Sequence, residues 1–197
     1  MVYPMVNLSK MIPRPANVCS IDASTNSLAF AIFNNDKLIK FGKINFVGNN
    51  TYSKIKDAAR KSYAFFDAVK EFVDAIVIEH TVYLNSPKTA ADLALVQGSL
   101  LGAASQHGIR LAGSINPIAW QTFIGNGKLT KDEKLQIRKE APGKSESWYK
   151  NYEREFRKQR TIRVTNIEYD INNFDNDVAD AIGIGHYAIN NWGKVDK

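Results

Sequence analysis

The sequence contains little cysteine and histidine and no long apolar run. Of its 197 residues one is cysteine and three are histidine, so Cys19 has no partner for an internal disulfide and the ligands of a zinc finger are missing. The longest apolar run, Leu28 to Phe33, has six residues, whereas a membrane-spanning helix needs roughly 20. The first residues include Pro4 and no apolar block, unlike a secretion signal. We therefore expect a cytoplasmic protein with no membrane partner.

The composition is that of a folded protein, since 44% of the residues are apolar and 23% are charged. The length suits one domain over residues 1–197. Neither an internal repeat nor a low-complexity tract interrupts it.

The net charge of +6 is concentrated in one segment. Residues 126–163 contain twelve of the 26 Lys and Arg residues but only six of the 20 Asp and Glu residues, and the rest of the chain is balanced. Aromatic side chains lie within this segment, including Trp148 and Tyr152. Cations that neutralise phosphates, interleaved with rings that stack on bases, are typical of nucleic-acid binding. The alternative is a solvated, amphipathic helix pair.

Apolar periodicity predicts an α/β domain with a mixed sheet. Three antiparallel strands come first, then helices and strands alternate, and a helix beginning near Asp175 or Asn176 closes the fold. Strands are predicted at 18–22, 28–33, 37–46, 75–79 and 109–115, and helices at 53–73, 89–107, from 116, and in two pieces around 141–143. Residues 161–166 are predicted to be extended.

Four acidic residues stand at the ends of apolar elements. Asp22 ends the first predicted strand, Glu79 ends the fourth, and Asp177 and Asp180 share one face of the last helix. If the two strands are neighbours, the four carboxylates form a cluster that only a cation makes tolerable, and oxygen ligands select Mg²⁺ or Mn²⁺. Each acid also has a structural explanation: Asp177 as a charge in the first turn of a helix, Asp22 as a turn residue, and Glu79 as a loop cap.

Several segments in order resemble the RuvC-type Holliday-junction resolvases of the ribonuclease H-like superfamily. The resemblance covers residues 17–190, although no single motif is specific. It is carried by Ser20-Ile21-Asp22-Ala23-Ser24 with the strand after it, Ile76-Val77-Ile78-Glu79, Val96-Gln97-Gly98, the stretch 116–131, and the closing helix 177–184.

The resemblance implies a ribonuclease H-like fold, a homodimer, and paired nicking of four-way DNA junctions. Asp22 would bridge two divalent metal ions, Mg²⁺ or Mn²⁺, Glu79 would hold one, and Asp177 and Asp180 would complete the site. His186 is expected to be structural. The residues expected to contact DNA are Lys128, Lys131, Lys134, Arg154, Arg157, Lys158 and, at the junction centre, Val82 or Tyr83.

The chain departs from the family pattern in two places. Gln121 stands where a lysine is usual, which weakens one expected phosphate contact. The stretch 144–163 is longer and more basic than is typical, so we expect a basic helical insertion over about 126–163, beside a short N-terminal extension at 1–15.

Three other functions compete with this interpretation, and only the second is left open by the sequence. A kinase or actin-like ATP-binding domain needs two lobes and a phosphate loop, and the motif at 125–128 lacks the residues of a P-loop. A ribonuclease H-like nuclease could instead act on other branched DNA or on RNA–DNA hybrids. A non-catalytic junction-binding protein would be expected to have lost at least one of the four acids.

Overall fold

A computed structural model describes residues 13–81 and 86–195. Five strands and six helices, followed by a short 3₁₀ turn at Trp192–Lys194, make up this part of the chain. The strands are β1 (Asn17–Ala23), β2 (Ser27–Asn34), β3 (Lys37–Asn45), β4 (Ala75–Glu79) and β5 (Arg110–Ile115). The helices are α1 (Thr51–Val69), α2 (Pro87–Gln106), α3 (Pro117–Phe123), α4 (Lys131–Glu140), α5 (Glu146–Tyr169) and α6 (Asn176–Asn190).

The strands form one mixed sheet in the order β3-β2-β1-β4-β5. The first three strands are antiparallel, and β4 and β5 run parallel to β1. A tight turn joins β2 to β3, where Asn35 takes the left-handed conformation at a φ of 52°, as its short polar side chain allows. The predicted fold class, an α/β domain whose mixed five-stranded sheet has three antiparallel and then parallel strands, is confirmed.

Helices cover both faces of the sheet, which explains why β2 is apolar along almost its whole length. On one face Ile21, Leu28 and Phe30 pack with α1 and α2 in the largest hydrophobic cluster. On the other face, Ala29 and Phe33 pack against α6. The alternation of side chains along each strand therefore assigns the Ala29 face of the sheet to α6.

Small residues let α6 approach the sheet closely. A Cβ on Gly185 would overlap the Phe33 ring and the hydroxyl of Ser20, and one on Gly183 would overlap Trp120. The Ser20 hydroxyl also donates a hydrogen bond of 2.6 Å to the carbonyl oxygen of Ala181. These contacts fix the position of α6 relative to β1.

The basic region forms two helices, as predicted, because 141–143 separates α4 from α5. The prediction of an extended segment at 161–166 was wrong, since these residues belong to α5. Thr161, Ile162 and Thr165 favour strands locally. In the helix the hydroxyl groups of Thr161 and Thr165 donate to the carbonyl oxygens four residues earlier, and all three side chains are buried. Tertiary packing overrides the local preference.

Two predictions fall outside the described residues. The N-terminal extension at 1–15 does so for its first twelve positions, and Val82 and Tyr83 do so entirely. Among the helices that the structure describes, none is both long and apolar enough to cross a membrane.

Candidate active site

The sheet register places three charged residues, Asp22, Lys43 and Glu79, in one row that runs from the edge strand β3 to β4. Asp22 lies opposite Ala29, and Ala29 lies opposite Lys43. On the other side of β1, the residues that precede Asp22 and Glu79 are paired in parallel, so these two acids come next on adjacent strands. Side chains that share a row of a sheet project to the same face. Ala29 identifies that face as the one covered by α6.

The first turns of α6 bring two further carboxylates to this row. Asp175 caps the helix, and its Oδ1 accepts hydrogen bonds from the backbone N–H groups of Asp177 at 2.9 Å and Val178 at 3.2 Å. Asp177 and Asp180 follow at a spacing of three, which puts both on one face of the helix. The negative charges of Glu79, Asp180 and Asp177 all act on Asp22. The structure therefore brings the four predicted acids together.

Burial makes three of these carboxylates hard to ionise, and for Asp22 and Asp180 the charges of neighbouring carboxylates add to it. The pKa of Asp22 is raised well above its ordinary value, first by burial and then by the charges of Glu79, Asp180 and Asp177. Burial, followed by the charges of Glu79 and Asp177, raises the pKa of Asp180 to about 7. Burial also raises the pKa of Glu79. A cation among these groups would favour their charged forms and reverse the shifts.

Lys43 extends from β3 into the cluster and stabilises the fourth carboxylate. Its Nζ lies 2.6 Å from Oδ2 of Asp177 and 3.1 Å from Oδ2 of Asp175. The hydroxyl of Ser27 donates to the same oxygen of Asp177 at 3.3 Å. Burial alone would raise the pKa of Asp177, but the hydrogen bond and positive charge of Lys43 outweigh it and lower that pKa. Asp177 is therefore ionised at neutral pH.

Glu79 is held by a tryptophan at the edge of the site. The indole N–H of Trp120, on α3, donates to Oε1 of Glu79 at 2.8 Å, and its ring is almost fully buried. Gln97 on α2 donates to the backbone carbonyl of Glu79 at 3.2 Å. Both the carboxylate and the backbone at the end of β4 are thus fixed by helices on the two sides of the sheet.

The donor set fits a divalent metal ion by its chemistry. Asp22, Glu79, Asp177 and Asp180 offer carboxylate oxygens alone, which Mg²⁺ and Mn²⁺ prefer. Within residues 13–81 and 86–195, no three His, Cys, Asp or Glu side chains are arranged for direct metal coordination. Asp177 contacts Lys43, and Glu79 contacts Trp120. Each contact engages one carboxylate oxygen, Oδ2 of Asp177 and Oε1 of Glu79, so binding of an ion through the other oxygen would leave these partners in place.

A cavity of about 870 Å³ adjoins the carboxylates. Glu79 and Asp180 line it together with cations of the basic region. Its lining includes five of the predicted DNA-contacting residues: Lys128, Lys134, Arg154, Arg157 and Lys158. Lys131, the first residue of α4, is exposed and does not line the cavity. Two acids of the cluster, Glu79 and Asp180, and most of the predicted cationic residues thus face one space.

Part of the positive charge of residues 126–163 is used to hold α4 and α5 together. Ion pairs join Lys134 to Glu153 at 2.9 Å, Arg138 to Glu146 at 2.7 Å, and Arg160 to Glu133. The alternative explanation, a solvated helix pair, therefore accounts for some of these side chains. It does not account for Arg154 or Arg157, which line the cavity and form no ion pair among the described residues.

Gln121, on α3, has a partner in this cavity. Its Oε1 accepts a hydrogen bond of 2.5 Å from Nη2 of Arg157. The family resemblance leads one to expect a lysine at position 121. This chain has a glutamine there, and its side-chain oxygen accepts from Arg157 of α5. His186, which was expected to be structural, forms a hydrogen bond of 2.6 Å between its Nδ1 and the hydroxyl of Tyr169, and burial lowers the pKa of its ring.

Sequence reasoning missed Lys43, Asp175 as its partner, and Trp120. Simple counting back from the turn at 34–36 would pair Ala29 with Gly42. The register shift between Ile32 and Phe33 instead brings Lys43 opposite Ala29, and no sequence pattern signals that irregularity. No local pattern connects Trp120 with Glu79, because the contact spans 41 residues and depends on how α3 packs.

The sequence matches no model of a known protein family, and no curated protein is significantly similar to it. Solved structures do share its fold. The structure of T. thermophilus RuvC in complex with a Holliday junction substrate has a TM-score of 0.61 at 12% identity, covering 90% of this chain and 97% of that one. A second Thermus thermophilus RuvC structure has a TM-score of 0.60 at 11% identity, covering 91% of this chain and 98% of that one.

A yeast protein provides a third match. The yeast mitochondrial Holliday junction resolvase Ydc2 has a TM-score of 0.52 at 15% identity, covering 94% of this chain and 83% of that one. At these identities the likeness establishes a shared fold. The predicted resemblance to RuvC-type resolvases is confirmed at that level.

Proposed function

We propose that this protein is a metal-dependent endonuclease that resolves four-way DNA junctions by paired, symmetric nicks. The observation that carries the proposal is the convergence of Asp22, Glu79, Asp177 and Asp180 beside a cavity with a cationic lining. It occurs in a fold shared with RuvC, one structure of which holds a Holliday junction substrate. An acidic cluster alone repels DNA, whereas acids and cations around one space suit a phosphodiester and a metal ion together.

The four carboxylates would hold Mg²⁺ or Mn²⁺, with two ions in each site. Divalent ions in such a site supply a water nucleophile at neutral pH and stabilise the leaving 3′ oxygen. The products would be a 5′-phosphate and a 3′-hydroxyl. The protein's own part is to hold Glu79 through Trp120 and Asp177 through Lys43 and Ser27.

Paired nicking gives a reason for a homodimer. A four-way junction has two-fold symmetry, and a two-fold symmetric enzyme places one active site at each of two strands of like polarity. The described residues contain one such carboxylate cluster, so one copy would make one nick.

The basic helical insertion over about 126–163 would supply the main DNA-binding surface. Arg154, Arg157 and Lys158 lie on consecutive turns of α5 and line the cavity. Changing all three to Gln should weaken junction binding and reduce the slope of log K against log salt by up to about three. Binding measured by fluorescence anisotropy across a salt series checks this. An unchanged slope would show that this wall of the cavity does not meet phosphates.

Comparison of substrates tests the proposed function. The protein is incubated with Mg²⁺ or Mn²⁺ and a labelled four-way junction, a Y-fork, a plain duplex or an RNA–DNA hybrid, and the products are mapped to single nucleotides. We expect the junction to be cut fastest, at symmetric positions on two strands, with ends that ligase can join. Faster cutting of the hybrid or the fork would assign the same site to a different substrate. Binding without cutting would favour a junction-binding protein.

A further inference from the structure

Arg157 is a cation that neutral groups hold close to the carboxylates. Its Nη2 donates to Oε1 of Gln121 at 2.5 Å and to the carbonyl oxygen of Asn126 at 3.2 Å. Neither partner is charged, and in the part of the chain that the structure describes no carboxylate forms an ion pair with Arg157. Its neighbour Lys158, in contrast, pairs with Glu155 at 2.9 Å. The charge of Arg157 is thus fixed in place without being neutralised.

The backbone that carries Arg157 is fixed by the same loop. The buried side chain of Asn126 donates to the carbonyl oxygen of Arg157 at 2.9 Å and to the hydroxyl of Thr161 at 2.6 Å. Within the described residues, Nε of Arg157 and Oδ1 of Asn126 are buried and have no hydrogen-bond partner. Buried polar atoms are seldom left unpaired without a reason such as a missing ligand or water.

The position of Arg157 suits one ligand chemistry. It lines the same cavity as Glu79 and Asp180. A guanidinium group presents a planar fork of N–H donors that matches two oxygens of a phosphate. A phosphodiester approaching the carboxylates is repelled by their charges, and a fixed cation offsets that repulsion at close range.

We propose that Arg157 binds a phosphate of the DNA strand that is cut, within the cavity beside the carboxylates, and that Gln121 is the residue that positions its guanidinium group. The inference rests on the proposed function, since it takes nucleic acid as the substrate. It makes α5 part of the active site as well as a binding surface. One helix then supplies both general attraction and a defined contact near the reacting phosphate.

A scan with methylphosphonates tests the contact. One phosphate at a time is made neutral around the cleavage position of a synthetic junction, and single-turnover cleavage is measured at saturating protein. For the wild type we expect one substitution near the cut to lower the rate about 100-fold. The same substitution should change the rate of Arg157→Gln by less than about threefold, because the contact is already gone. Arg110→Gln is the control and should be as sensitive as the wild type, since Arg110 is exposed at the start of β5, outside residues 126–163, and does not line the cavity.

Gln121→Leu separates positioning from charge. The variant retains every cation, so junction affinity should stay within about twofold, while the cleavage rate falls about tenfold because the guanidinium loses its acceptor. Circular dichroism and the unfolding midpoint verify that each variant is folded. If Arg157→Gln is not folded, Arg157→Lys replaces it, and it should lose part of the methylphosphonate effect because it keeps the charge without the fork.

The outcomes distinguish this inference from the proposed function. If Arg157→Gln is as sensitive as the wild type at every position, Arg157 does not bind a phosphate there. If Gln121→Leu cuts at the wild-type rate, Gln121 has no positioning role. If the wild type cuts no branched DNA, the proposed function fails. The affinity of the protein for each methylphosphonate junction is then measured in Ca²⁺ in place of the cleavage rate. In that case an Arg157-dependent loss of affinity at one phosphate would still support the contact, and its absence would overturn it.

Discussion

The stability of the metal-free protein should fall as the pH rises, with Asp180 as a main cause. Its folded pKa is about 7, raised from 3.8 by burial and then by the charges of Glu79 and Asp177. Between these two values the folded protein holds a proton on Asp180 that the unfolded chain has lost. Raising the pH through this window therefore favours the unfolded chain. The contribution of protonated Asp180 to the free energy of unfolding is complete below pH 3.8 and is lost as the pH rises through 7.

The size of the effect follows from the shift. Each pKa unit corresponds to about 1.4 kcal/mol, and a shift of about three units gives a loss on the order of 4 kcal/mol. Asp180→Asn keeps the shape of the side chain and removes the titration. We expect the variant and the wild type to have similar free energies of unfolding near pH 4, and the variant to be more stable at pH 8 by up to that amount.

Urea unfolding in EDTA, measured at several pH values from 4 to 8, checks the prediction. Comparing two proteins that differ at one site cancels the titration of distant groups. Asp132→Asn, at an exposed residue of α4, is the matched control and should follow the wild type. Magnesium at pH 8 should stabilise the wild type more than Asp180→Asn, since the ion binds the folded state. A difference between variant and wild type that stays constant across this pH range would refute the reasoning.

Two further changes test how the site is held. Lys43→Met should lower the free energy of unfolding by about 1 kcal/mol at pH 7, because it removes ion pairs with Asp175 and Asp177. This loss should become smaller in acid, as the two carboxylates are protonated. A loss of the same size at pH 2 would contradict an ionic origin. Gly185→Ala should cost about 2 kcal/mol in urea unfolding, since its Cβ overlaps buried groups. Gly98→Ala, whose Cβ meets nothing within 4 Å, should be neutral or stabilising, and equal losses for both would argue against close packing of α6.

Much of the fold was predictable because its signals are local. The apolar run of β2, the turn at 34–36 and the caps of the helices each specify an element from a few neighbouring residues. The segment 161–166 was not predictable in this way, because its β-branched residues favour a strand and only packing in α5 makes them helical.

The acidic residues of the candidate site could be predicted from the sequence, but the side chains that hydrogen-bond to them or pair with them could not. Asp22 is the penultimate residue of β1 and Glu79 the last residue of β4, and a position near the end of an apolar run is visible in the sequence. Lys43 reaches Asp177 across 134 residues of chain, and Trp120 reaches Glu79 across 41. Such contacts depend on the sheet register and on where α3 and α6 pack. The link between Gln121 and Arg157 likewise joins two helices that no local pattern relates.

Asp22→Asn tests the central claim most directly, namely that the four carboxylates form the site of a metal-dependent nuclease. Asp22 lies in the middle of the cluster, where the charges of the other three act on it. The measurement is cleavage of a four-way junction in Mg²⁺ together with junction binding by the same preparation. We predict that cleavage is abolished while binding stays largely intact, because the cationic residues of the cavity are unchanged. Cleavage near the wild-type rate would contradict the account.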